Sequence, residues 1–445
     1  MTSQKLFDHL WMPFTSHQDF LDDPPVVIER GKGIYIYDQQ GNPYIDGIGS
    51  WWVSLFGHNH PTITAAVHHQ LDKIEHVLMA GCVAPPTIEM ATILGKILPS
   101  QLTKTFYSDD GSTSVEVAMK IALQFHYIRN DRKRTRFVAL GGGYHGDTLG
   151  AVSVGAIPQY HPPFHETFKS QFYTDPPYCY RCPAGKQKET CSAECMDSLK
   201  AILEAHGEQI AACIFEPMVQ GVSGMRVYPP KVLKKIFALC EEYDILTIAD
   251  EVAMGLGRTG KMFACDHAEV VPDMMCLAKG LTGGYLPLAV TAVKEKLYEE
   301  FCGDYLSNRT FEHGHTFTGN PLAAAAGCAA LTMLVESDMP NSLAPLIDCF
   351  KTELLKFNDL ECVGDIRNIG MVGALDIVKN RETREKFLPQ QRFCYNVCKK
   401  AREKGLMIRP LGDCIYFMPA FIIETEQIKQ MLAIARSAIE ETLAL

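Results

Sequence analysis

The sequence predicts an α/β protein whose large domain is built on a mainly parallel sheet and is followed by a smaller α+β domain. Three observations predict it. Helical and strand patterns alternate from about residue 61 to 325. Two short apolar runs there, IAACIFEP (210–217) and ILTIADEV (245–252), end in polar residues and flank the helical stretch KVLKKIFALCEEY (231–243). After about residue 330 the pattern changes. Strand, helix, strand at this spacing implies parallel pairing. In such sheets functional groups gather just beyond the carboxyl ends of the strands.

In chain order, residues 1–60 form an N-terminal segment expected to pack with the small domain. Two short strands, GIYIYD (33–38) and PYIDGIG (43–49), are divided there by the turn residues Gln40, Gly41 and Asn42. Residues 61–325 form the large domain. SVEVAMKIALQFHYI (114–128) carries Val117, Ile121 and Phe125 at helical spacing, and RFVAL (136–140) reads as a strand. Residues 326–445 form the small domain. It holds a helix at 342–357, a strand pair at 364–378, a further strand region at 405–419 and a last helix at 426–444.

Composition excludes several classes. The chain is 47% hydrophobic and 21% charged, as in ordinary globular proteins, with length for a large core. A net charge of −10 without a long basic run argues against nucleic acid as a partner. The first 20 residues lack the basic head and apolar stretch of a signal peptide, and no apolar run reaches membrane-spanning length. Most of the 16 cysteines stand singly in apolar surroundings, such as Cys213 and Cys276, which suits free thiols in the cytoplasm.

One set of residues meets the needs of a pyridoxal 5'-phosphate (PLP) site. That chemistry requires a lysine amine to link to the cofactor, an acid on the pyridine nitrogen and backbone donors for the phosphate. Lys279, in CLAKGLTGGYLPLA, follows a strand and runs into glycines that let the backbone pass close to a ligand. Asp250 ends the strand ILTIAD. Gly111, Ser112 and Thr113 precede the 114–128 helix, and Tyr144, beside His145 in GGGYHGDT, can stack on a ring. Each residue alone has a plainer reading: a solvated lysine, a helix cap, a core tyrosine. The weight lies in finding all of them, in this order, at strand ends of one domain.

Six stretches carry a family resemblance: YSDDGSTSVEVAMK (107–120), GGYHGDT (142–148), IFEPMVQGVSGM (214–225), IADEVAMGLGRTGKMFACDH (248–267), LAKGLTGGYLPLAV (277–290) and HGHTFTGNPLAAAA (313–326). Together they resemble the class III (ω-type) aminotransferases, which have PLP fold type I. WMPFT (11–15), SWW (50–52) and Ala253 resemble the branch of that class in biotin biosynthesis.

The resemblance implies that Lys279 bonds the cofactor, Asp250 meets its pyridine nitrogen and Tyr144 and Val252 cover its two faces. Gly111 and Ser112 would hold its phosphate, and Thr316 would reach the phosphate of a neighbouring subunit, so a homodimer with shared sites is implied. The acceptor implied is 8-amino-7-oxononanoate. Its channel would be lined by Trp51, Trp52, Phe14 and Gly314, with Arg409 gripping the distal carboxylate and Arg258 assisting. A long methylene chain ending in a carboxylate suits an aromatic channel with one bidentate clamp. S-adenosyl-L-methionine is the implied amino donor, with L-lysine the alternative.

The sequence departs from that branch at three places. Phe14 stands where many members carry tyrosine, His315 where many carry proline, and Met254 replaces a common threonine. The stretch 178–195 adds Cys179, Cys182, Cys191 and Cys195 in C-x2-C and C-x3-C spacing. Four thiolates so spaced can close a structural zinc site, while reduced surface thiols are the plainer reading, and the catalytic chemistry implied needs no metal. Two rival activities remain in view. GLGRTG (255–260) matches a dinucleotide fingerprint, but no clean amphipathic helix follows it. Another class III aminotransferase, acting on ornithine, 4-aminobutyrate or diamines, is the nearer rival.

Overall fold

Seven strands form the central sheet of the computed structural model, which describes residues 9–157, 161–165, 171–339 and 341–444. The first eight residues, part of the stretch read above for a signal peptide, lie outside the described residues. Across the sheet the order is Leu102–Ser108, Ala289–Lys294, Met274–Leu277, Leu246–Asp250, Ile210–Phe215, Arg136–Ala139, Phe172–Tyr173. From Met274–Leu277 to Phe172–Tyr173 every pairing is parallel. The Ala289–Lys294 strand pairs antiparallel on both sides, so the sheet is mixed at that edge.

Parallel strands need crossover helices, and these cover both faces of the sheet. Ile210–Phe215 and Leu246–Asp250 are accordingly buried at every position. Helix Pro230–Glu242 joins them and turns Val232, Leu233, Ile236 and Leu239 inward, the 3.6-residue stripe visible in the sequence. Helix Gly111–Ile128 begins at a capping box: the Asp110 carboxylate accepts from Thr113 N at 2.9 Å, and Thr113 Oγ1 accepts from Asp110 N at 2.9 Å.

The C-terminal part carries a separate antiparallel sheet in which Val363–Ile369, Val372–Ile377, Cys414–Phe417 and Pro410–Leu411 pair in that order. Helices Ala344–Leu355, Phe393–Glu403 and Thr425–Leu443 accompany it. The single strand region expected at 405–419 is three short pieces. Pro410 lacks the N–H that a continuous ladder needs, and Gly412 turns at φ 59°. Leu406–Met407 leaves that sheet and pairs in parallel with Pro43–Asp46 of the N-terminal segment. Residues 43–46, which lead into the tryptophan pair, are thus tied to the C-terminal part close to Arg409.

No single described helix is long and apolar enough to cross a membrane. A bent pair, Pro321–Glu336 with residues 341–359, passes on length and composition, but Pro321–Glu336 packs against helices Pro61–Leu71 and Pro85–Ile97 as an alanine-rich core helix.

Candidate active site

Lys279 follows strand Met274–Leu277 by two residues and opens a short 3-10 turn at φ 48°. A non-glycine residue in the left-handed region is held there only by its surroundings, and such strain gathers at functional sites. Its side chain is half-buried. Burial lowers the amine to about 8, and the charges of Asp250 and Glu216 act in the opposite direction. A neutral, nucleophilic amine is therefore far more accessible near neutral pH than for a surface lysine. The Nζ stands 4.4 Å over the Trp52 ring.

Asp250 is the last residue of its strand and is buried. One oxygen lies 2.7 Å from His145 Nδ1 and the other accepts from Val252 N at 3.1 Å. His145 Nε2 is buried without a hydrogen-bond partner among the described residues. A second acid, Glu216, lies beyond the neighbouring strand and accepts from Tyr144 N at 3.1 Å and Gly221 N at 2.9 Å. Burial pushes Glu216 up to about 7.

These groups line a cavity of about 660 Å³ that also receives Gly111, Ser112, Tyr144, Thr148 and Val252. The Gly111–Ile128 helix points its N-terminus into it. The Thr113 and Ser114 amides bond back to Asp110, which leaves the Gly111 and Ser112 amides without an acceptor among the described residues. Ser112 Oγ lies 2.7 Å from Thr148 Oγ1 and accepts from Thr148 N at 3.0 Å. Space here is tight: a Cβ on Gly111 would lie 2.6 Å from Val252 Cγ1, and one on Gly146 2.3 Å from Ser112 Oγ. Free amides and a hydroxyl at a helix N-terminus suit a phosphate. A half-buried lysine and a strand-end aspartate on the same cavity suit the rest of PLP, so the residues present fit that cofactor.

A second cavity, of about 990 Å³, shares Trp52, Tyr144 and Lys279 with the first and widens past Phe14, Trp51 and Arg409. Trp52 is buried, Trp51 is half-exposed, and Phe14 meets Trp51 edge-on at 5.5 Å. The Arg409 guanidinium lies 5.1 Å over Trp51 and donates to the Phe14 carbonyl at 2.7 Å.

Three expected site residues are not on either cavity in the single chain. Arg258 is fully buried and its guanidinium donates to the carbonyls of Pro419 at 2.5 Å and Ser54 at 3.0 Å, so its cation ties backbone together away from the channel. Gly314 and Thr316 are exposed. Cys179, Cys182, Cys191 and Cys195 all flank one small void of about 10 Å³, yet among the described residues no group of three or more His, Cys, Asp or Glu is arranged to hold a metal ion. All four thiols are free. Sequence reasoning missed the His145–Asp250 pair and the role of Glu216 in holding the Tyr144 loop. His145 is adjacent to Tyr144 and Glu216 ends a strand, but neither position reveals its partner.

The family model of the class-III aminotransferases matches residues 18–439. The chain is 42% identical to the adenosylmethionine-8-amino-7-oxononanoate aminotransferase of Nitratidesulfovibrio vulgaris, over 97% of this chain and 80% of that one. It is equally identical to the enzyme of that name from Geobacter sulfurreducens, over 94% and 93%. The crystal structure of the Methanocaldococcus jannaschii enzyme of the same name superposes with a TM-score of 0.93 at 37% identity, covering 99% of this chain and 98% of that one. A PLP-bound amine transaminase from an uncultivated Pseudomonas species gives 0.93 at 31% identity, with 98% and 99% covered.

Proposed function

The chain belongs to the class III aminotransferases, and on that premise we propose that it transfers an amino group to 8-amino-7-oxononanoate, giving 7,8-diaminononanoate in biotin biosynthesis, with S-adenosyl-L-methionine as donor. The observation that carries the reading is a pair of cavities that share Trp52, Tyr144 and Lys279, the inner one holding Asp250 and the outer one reaching Trp51 and the Arg409 guanidinium. That shape matches a ketone on a methylene chain with a terminal carboxylate.

PLP bound there supplies an electrophilic carbon and a protonated ring that draws electrons from the substrate carbon. Asp250 keeps the ring nitrogen protonated, and His145 behind it holds the carboxylate in place. Gly111 and Ser112 would hold the cofactor's phosphate, and Tyr144 and Val252 would cover its two faces. Lys279 moves the proton at the substrate carbon: its lowered basicity lets one amine accept and return a proton near neutral pH. Donor and acceptor use the same space in turn, so the kinetics are ping-pong. Arg409 takes the acceptor's carboxylate and the Trp51–Trp52 wall takes its methylenes.

The working unit is a homodimer in the cytoplasm. Exposed Leu78, Met79, Val83, Ile88 and Phe317 support the pairing: the His76 ring lies 5.0 Å from Phe317, and Met79 abuts Gly319. This apolar patch adjoins Thr316, which reaches the phosphate held by the partner subunit. Free and mostly buried thiols support a reducing compartment.

The test is a product assay with purified protein, PLP and 8-amino-7-oxononanoate, given S-adenosylmethionine in one tube and L-lysine in another. Diaminononanoate in the first tube is expected. Product only with lysine changes the donor. No product in either tube, from protein that binds the cofactor, overturns the reading in favour of another ω-aminotransferase.

A further inference from the structure

Besides Arg409 the outer cavity is lined by Arg181, which donates to the Arg384 carbonyl at 2.8 Å, and by Arg226, which the reaction described so far leaves without a task. It is half-buried. Its side chain makes no hydrogen bond or ion pair among the described residues, its Nε is fully buried without a partner, and its one described contact is the Tyr178 face, 4.3 Å away. Burial lowers its basicity below the usual arginine range. The acids whose charges act on it are already engaged: Asp376 Oδ2 accepts from Arg367 Nη1 at 2.6 Å and from Tyr178 Oη at 2.6 Å, and Glu216 accepts from the Tyr144 and Gly221 amides. Ser223 on the same wall donates to the Gly142 carbonyl at 2.5 Å. A buried Nε with no acceptor among the described residues, on a guanidinium that opens to the cavity, is favoured by a ligand that completes it.

Position decides which ligand. Arg226 Nη1 would lie 2.8 Å from a Cβ placed on Gly142, two residues before Tyr144, so it borders the loop that carries the inner wall. Arg409 sits instead at the open end, against half-exposed Trp51 and the carbonyl of Phe14. An α-amino acid donor bears its carboxylate on the reacting carbon, whereas the acceptor's carboxylate lies a methylene chain away.

We propose that Arg226 receives the α-carboxylate of the amino donor, leaving Arg409 to the distal carboxylate of the acceptor. Each half of the ping-pong reaction then has its own anion clamp within one cavity. The proposal rests on the aminotransferase reading above.

In ping-pong kinetics kcat/KM for each substrate reports its own half-reaction, so the two clamps separate. For the Arg226→Leu holoenzyme, kcat/KM for S-adenosylmethionine is expected to fall roughly 100-fold, the scale of a buried charge pair broken, with less than about a threefold change for the oxononanoate. Arg226→Lys restores part of the donor's loss. Decarboxylated S-adenosylmethionine, which lacks the anion, should react equally with both enzymes. Equal losses in both halves, a loss confined to the acceptor, or an equal loss with the decarboxylated donor overturns the proposal. The donor half-reaction is followed by the cofactor's visible absorbance with no acceptor present. An error in the acceptor's identity therefore leaves this test standing, and L-lysine replaces S-adenosylmethionine if the product assay selects it.

Discussion

Replacing Glu216 by glutamine should cost more stability at low pH than at high pH. The carboxylate accepts two backbone N–H groups, Tyr144 N and Gly221 N. A glutamine offers one oxygen, so one amide faces an NH₂ group, at a cost of about 1–3 kcal/mol. Against this stands the proton. Burial raises Glu216 from 4.5 to about 7. A carboxyl that binds its proton more tightly when folded gives its full stability below the unfolded value and loses it as pH rises toward the folded one. The loss is about 3 kcal/mol between roughly pH 4.5 and 7. Glutamine does not titrate. Near pH 5, where the parent carries its proton, the variant should be less stable by at most that hydrogen-bond cost, and above about pH 8 the parent's advantage should be smaller by about 3 kcal/mol. For 445 residues the melting temperature moves by about 1 °C per kcal/mol, so the parent's advantage should shrink by about 3 °C across that window. Melting curves of both proteins at saturating PLP, taken in half-unit pH steps, measure this. A difference constant across the window would refute the raised carboxyl, and a parent advantage that grows with pH would show that the N–H bonds outweigh burial.

Three further outcomes follow from the same geometry. Asp250→Asn should keep the fold and lose roughly 100- to 1000-fold in kcat, because the amide cannot hold a proton on the ring nitrogen; steady-state assay with circular dichroism checks both parts. Gly370→Ala should lower the melting temperature by several degrees or leave no soluble protein, since its φ is +54° and the new Cβ would lie 2.3 Å from the Thr259 carbonyl carbon, which is backbone and cannot step aside. Thr316→Ala should leave the dimer mass unchanged by light scattering and weaken PLP retention on dialysis by roughly tenfold, the value of one hydrogen bond to a charged group.

The parallel core was legible because its signals are local. Ile210–Phe215 and Leu246–Asp250 are unbroken apolar runs, as strands covered on both faces must be, and Pro230–Glu242 shows its stripe to any 3.6-residue count. Lys279 and Asp250 were legible because each ends such a run. The antiparallel direction of the Ala289–Lys294 strand, which follows the glycine-rich stretch after Lys279, was not legible, since orientation is set by the connection and leaves no mark on the strand itself. Arg258 shows the limit from the other side. It stands in a motif that resembles a substrate-binding one, yet its guanidinium is closed over by the carbonyls of Ser54 and Pro419, residues far from it in sequence. The Arg226 side chain carries the opposite lesson: nothing in its sequence setting marks it, and only its buried Nε, without an acceptor among the described residues, does.

The same distance in sequence explains how the channel wall keeps an unfavourable backbone. Gly49, Ser50, Trp51 and Trp52 have φ of 55°, 45°, 67° and 79°, and such a run costs about 1–2 kcal/mol for each non-glycine residue. What offsets it is Asp46, buried beneath the turn, which accepts from Ser50 Oγ at 2.8 Å and lies 2.9 Å from His58 Nε2. Burial alone would raise its acid, but the bonds from His58 and Ser50 outweigh that and hold it below the usual carboxylate range. Asp46 in turn is placed by the pairing of Pro43–Asp46 with Leu406–Met407, two residues before Arg409. The tryptophans that bound the channel and the arginine at its end are therefore set by one strand pair between segments 360 residues apart, for which neither segment alone contains the instruction. A lysine at φ 48° at the other end of the channel is held by the sheet itself. Strain at both ends is tolerable only because the core between them is rigid, which is why the chemistry here lies on irregular turns at the edges of the most regular part of the molecule.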